Sequence, residues 1–137
     1  MRVTLAALAD AANLSQEGKL NILGEFDTIY TPSVPTVWPL MVFVAKVKME
    51  LGEIEGRHTV SLRVVDQDMQ LIAPLISGHV EWADRPAPGT EMAWPLILPI
   101  ANAQFPDHGV YAFELRIDET LLTSLPLNIR PPATPKV

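Results

Sequence analysis

The chain has no cysteine among its 137 residues. A disulfide framework, a thiolate metal site and a cysteine nucleophile are therefore excluded, and the composition suits a reducing cytosol, where the protein is expected to reside. Positive charge is scarce as well. Ten Lys and Arg stand against sixteen Asp and Glu, for a net charge of -6, and the bases form no cluster. Phosphate neutralisation supplies most of the affinity for nucleic acid, so no nucleic-acid partner is expected. The same deficit argues against an anionic membrane surface. No stretch reaches the ~18 uninterrupted apolar residues of a transmembrane helix. The seven glycines are scattered singly, so there is no phosphate-cradling loop, and no G-x-S-x-G nucleophile motif occurs. Arg2, the apolar Val3 to Ala9 and Ala7-Leu8-Ala9 imitate a secretory leader. That run is at the short limit and Asp10 follows at once, so a first β-strand is the better reading.

Proline is abundant by contrast: thirteen residues, roughly twice the usual share. Hydrophobic residues make up 48% and mean hydropathy is positive. That is rich for one domain of this size, and it leads us to expect a homo-oligomer or a protein partner covering apolar surface. The length fits one domain with a real core. Residues 1–130 are assigned to it and 131–137 to a Pro-rich tail.

The clearest local pattern runs from Asp107 to Ile129. Tyr111, Phe113, Leu115 and Ile117 alternate with Ala112, Glu114, Arg116 and Asp118, the period-two signature of a half-buried strand. Asp118-Glu119-Thr120 is a turn, and Leu121 to Ile129 returns with Leu125, Leu127 and Ile129 on one face. Similar strands are expected over Val3 to Ala9, with continuation through Ala12, over Lys19 to Tyr30, and over Pro39 to Leu51. Others follow at His58 to Val64, Gln70 to Trp82 (one long strand, or two pieces broken near Pro74 or Gly78) and Glu91 to Ala101. In Lys19 to Tyr30, Leu20, Ile22 and Phe26 read as core, and Gly24 as a bulge or a close backbone approach. Leu40 to Val44 is apolar on both faces, so something beyond the core, a loop or a subunit, should cover that end. Pro95 and Pro99 mark an edge or bulges, because a central strand would lose ladder bonds. About eight strands with turns between them and no helical period predict an all-β, two-sheet antiparallel sandwich.

Asp107, Gly109, Tyr111 and Phe113 resemble the D-x-G-x-Y-x-C tyrosine corner of immunoglobulin-type sandwiches, with Phe in place of Cys. A wider resemblance rests on three segments. These are Ala9 to Ala12, Gly18 to Gly24, and Phe105-Pro106 leading through Gly109 to Phe113 and Ile117-Asp118. Together they are similar to a family of small bacterial proteins of unknown function. The resemblance implies a bacterial, intracellular sandwich and brings no catalytic residues.

Candidate chemistry is thin. His58, His79 and His108 are far apart and show no H-x-H or H-E-x-x-H spacing. A metal site would need them to converge with Glu81, Asp84 or Asp107. His58 shares parity with Val60 and Leu62 and should sit at the core-facing mouth of its strand; His79 should point outward. Asp66 with Asp68, and Asp118 with Glu119, are too few oxygens for calcium and read as turn residues. Trp82 and Trp94 fall in the core by alternation, and Trp38 is the one partly exposed indole a sugar could stack on. No catalytic, cofactor-binding or metal residue is assigned. The favoured reading is a non-enzymatic interaction or assembly module. The alternative is a small-molecule, metal or carbohydrate-binding sandwich.

Overall fold

The computed structural model describes residues 1–133, with residues 74 and 75 described by their backbone alone. The strands are β1 (Arg2–Leu14), β2 (Leu20–Phe26), β3 (Thr28–Tyr30), β4 (Thr36–Glu50), β5 (His58–Val65), β6 (Leu71–Val80), β7 (Glu91–Phe105), β8 (Gly109–Ile117) and β9 (Thr120–Arg130). Among the described residues the remaining regular element is a 3-10 turn, Leu51–Glu53. One sheet has the order β2-β1-β4-β7 and the other β3-β9-β8-β5-β6. This is the expected all-β sandwich. Nine strands replace the expected eight, because the single strand read over Lys19 to Tyr30 is two. β2 ends at Phe26 in one sheet, and β3 begins at Thr28 in the other, where it runs parallel to β9. Main-chain bonds from Asn128 to Asp27 and from Thr31 to Arg130 secure that crossing. β6 is unbroken from Leu71 to Val80, and the ladder takes up its irregularity as register shifts against β5. Residues 131–133 form no regular element, and the rest of the expected tail lies outside the described residues.

Alternation builds the core. Met41, Phe43, Ala45, Val47 and Met49 of β4 point between the sheets, toward Val60, Leu62 and Val64 of β5 and Phe113, Leu115 and Ile117 of β8. Each large apolar side chain buried this way stabilises the fold by roughly 1.5–3 kcal/mol relative to exposure. The tyrosine corner is present. The Tyr111 hydroxyl donates to the Asp107 carbonyl at 2.7 Å and accepts from the Asp107 amide at 3.1 Å, with the ring edge-on to Phe105.

Alternation fails along one line across the four-stranded sheet. Ile22 packs on a small outer cluster and Phe26 on the main core, although they are four residues apart. Between them Gly24 has φ +71°, and a Cβ there would lie 2.4 Å from Asp10 Oδ2. The close approach expected at Gly24 is therefore to a side chain. Likewise Trp38 and Met41 flank Pro39, and Ile100 and Ala103 flank Asn102 at φ +54°; each pair, three residues apart, contacts the same core. The sheet forks here. The last β1–β4 pair is Ala9 with Val42, while β1–β2 pairing continues to Leu14 with Leu20 and β4–β7 pairing to Thr36 with Phe105.

Candidate functional site

The residues singled out for chemistry do not converge. His58 lies where expected, at the mouth of β5, but both ring nitrogens are taken. Nδ1 is 2.5 Å from Asp118 Oδ2, and Nε2 is 2.9 Å from the Glu55 carbonyl. Asp118 also accepts from the Thr59 amide at 3.0 Å. That amide, and next the imidazole, hold its carboxyl below the ordinary value. The His58 ring lies tilted against Trp82, centroids 5.0 Å apart, and Trp82 meets Trp94 edge-on at 5.1 Å. Trp82 is not a strand residue of the core: it lies two residues beyond Val80, the end of β6, half-buried and packed against the core. His79 is exposed on β6, and His108 Nε2 bonds the Thr31 carbonyl at 3.0 Å. No group of three or more His, Asp or Glu is placed to share a cation among the described residues. Asp66 Oδ1 accepts the amides of Asp68 and Gln70, both at 2.9 Å, which is turn chemistry.

One charged group departs from its outward reading. Glu114 of β8 is buried between Arg63 of β5, at 2.9 Å, and Arg116, at 3.3 Å. Burial pushes its carboxyl up, but hydrogen bonds from the two guanidiniums outweigh that and hold it below the ordinary value. The register pairs Arg63 directly with Glu114, a relation that needs strand order and is invisible in sequence.

What covers Leu40 to Val44 is the chain's own hairpin. Val42 and Val44 lie on the outer side of the sheet with Ala9. Ala12, Leu20, Ile22 and Ile97 pack against them. Leu40 alone of the run stays open, at 56% exposure. The β1–β2 hairpin thus uses one side as a cover and leaves its other side free. On that free side Leu23 is 72% exposed, the highest value of any large apolar side chain in the described residues.

Sheet edges complete the surface, and strand prolines sort them. Pro95 and Pro99 lie on β7, the edge beyond β4. Pro74 lies on β6, the edge beyond β5. Pro126 lies on the part of β9 that β3 does not reach, and Pro39 on the part of β4 that β1 has left. Pro74, Pro95, Pro99 and Pro126 each pair with the strand on one side, so their missing donors face the open edge, the device that keeps edges from recruiting strands; the β4–β7 register skips Pro39. The edge positions foreseen for Pro95 and Pro99 are observed. β3 is too short, at three residues, to be a template. β2 has seven residues, no proline and a partner on one side only.

A family model described as a family of unknown function, DUF6941, matches residues 4–130. The chain belongs to that family. The match spans both sheets of the DUF6941 domain, from β1 to the last residue of β9. No curated protein matches this DUF6941 chain. Among its described residues no helix is long and apolar enough to cross a membrane.

Proposed function

We propose that this DUF6941 protein works by assembly rather than by catalysis, as a homo-oligomer held through the free side of its β1–β2 hairpin. The observation that carries this reading is β2: a full-length edge strand without proline, presenting the most exposed leucine among the described residues. An open edge of that kind recruits strands unless it is blocked, and the other outer edge strands are blocked, β6 and β7 by proline and β3 by its length. Light scattering coupled to size exclusion, on protein purified without added metal, tests the reading. A dimer or larger species at micromolar concentration is the expected result. A monomer there overturns it.

A second reading rests on the fork in the sheet. Where the ribbons separate, a cleft of about 380 Å³ is lined by Asp10, Glu25, Phe26, Thr28, Tyr30 and Trp38. Half-buried Trp38 and exposed Tyr30 offer ring faces, and Asp10 and Glu25 offer acceptors, the combination a sugar ring uses. A glycan screen without a binder removes this reading.

A further inference from the structure

We infer that the cleft at the fork of the four-stranded sheet binds a small organic ammonium ion, held by aromatic faces and by two carboxylates that have no cation of their own. The inference rests on the cleft of the second reading above, but it requires a charge on the ligand that a neutral sugar lacks. The cleft holds about 380 Å³, within the range of small-molecule sites. Phe26 ends β2, Tyr30 ends β3, and Trp38 stands on the part of β4 that β1 has left. The fork thus brings three rings to one hollow. The Phe26 and Trp38 centroids are 6.3 Å apart with their planes tilted by 50°, and Tyr30 is 63% exposed. Rings set at an angle let one cation lie near more than one face, and each face attracts it through its quadrupole.

Charge then selects the ligand. Asp10 and Glu25 line the same cleft, and no Lys, Arg or His does so among the described residues. The ion pairs of those residues leave both carboxylates out. Asp27 stands in the chain between two lining residues, Phe26 and Thr28, and adds negative charge nearby. Gly24 gives Asp10 its seat. The two face each other in the register, between Ala9 with Glu25 and Ala11 with Leu23, and Asp10 Oδ2 lies where any other residue at position 24 would carry its Cβ. The Thr28 hydroxyl donates to Asp27 Oδ1 at 2.9 Å, which leaves a polyol one side-chain donor fewer. An ammonium ion asks for acceptors and ring faces instead, and the lining presents both. Opposite charge also concentrates such an ion at the mouth of the cleft. A bare metal ion is a poorer match, because it needs several converging ligands and no three acids or histidines converge among the described residues.

Choline chloride is the probe, titrated by NMR at constant ionic strength with sodium chloride as the blank. The Trp38 indole N–H signal should move and saturate. Those of Trp82 and Trp94, which pack on each other outside the cleft, should stay. Choline should bind about tenfold more tightly than the neutral alcohol in which a tert-butyl group replaces trimethylammonium. Asp10→Asn should weaken choline about fivefold. Asp84→Asn removes the same charge outside the cleft and should leave the affinity unchanged. Tyr30→Leu, at an exposed position, should weaken it about threefold by removing a ring face. Equal affinities for choline and the neutral alcohol, or a choline affinity that ignores Asp10→Asn, overturn the inference. A neutral glycan that moves the Trp38 signal where choline does not also overturns it, and leaves the second reading standing. If neither binds, both fall.

Discussion

Asp107 to Phe113 is where single residues explain most. The Tyr111 hydroxyl closes the corner onto both main-chain groups of Asp107, while its ring is buried against Phe105. Tyr111→Phe keeps the ring and removes both bonds. It should cost about 1–2 kcal/mol in urea unfolding, with an unchanged slope. Burial raises the Tyr111 phenol, so it carries no charge across the neutral range, and this cost should not vary with pH there. Carboxylates behave oppositely. Asp118 and Glu114 are both held below their ordinary values by their donors. A carboxyl depressed in the folded state adds stability that is complete above its unfolded pKa, near ~4, and is lost as pH falls toward the folded value. Acid titration of the urea midpoint should therefore fall below about pH 4, and Glu114→Gln should flatten part of that fall. At neutral pH the same substitution should destabilise by about 2 kcal/mol, since it removes the charged acceptor of two guanidiniums.

The β8–β9 hairpin shows how much an element reveals of itself. Its alternation and its turn at Asp118-Glu119 are legible in the sequence, because period two and polar turn residues are local signals. Pro95 and Pro99 correctly announce an edge, since a missing donor has the same consequence in any fold. The break at Asp27 is not legible: Lys19 to Tyr30 has one continuous apolar pattern, and only the second sheet pulls Thr28 to Tyr30 away. Nor is the burial of Glu114, whose partner Arg63 lies fifty-one residues away. Of the candidate interface, the apolar surplus is legible. Its location on β2 is not, because edge status depends on strand order. The same hairpin carries a correctable flaw. Asp118 and Glu119 both have positive φ, at 52° and 67°, between the paired Ile117 and Thr120. A two-residue turn of this geometry favours Asp-Gly, and Glu119 bears a Cβ where glycine has none. Glu119→Gly should raise stability by about 0.5–1 kcal/mol, read as a higher urea midpoint. The Arg116 bond at this turn goes to the residue 119 carbonyl and survives the change.

Across the whole molecule, the distribution of proline and leucine divides the surface into closed and open parts. Four edge regions carry a proline, β3 is cut to three residues, and β2 is left unblocked with Leu23 beside it. A monomer so built would keep its most aggregation-prone strand in water, at odds with the care taken over the other edges. Pairing through β2 removes that conflict and gives stability a dependence on concentration. For a dimer that unfolds to separate chains, each tenfold rise in protein adds about 1.4 kcal/mol per dimer by mass action. With the usual unfolding entropy per residue, two chains of this length should gain about 2 °C in Tm for each tenfold step. Leu23→Lys puts a charge on the open β2 strand and touches no buried group. As an exposed substitution it should leave the monomer within about 0.5 kcal/mol of the wild type. Its Tm should be flat across the same dilution series and should meet the wild-type curve at the lowest concentrations. A wild-type Tm that does not move with concentration, in protein that scatters as a monomer, would show that water covers β2.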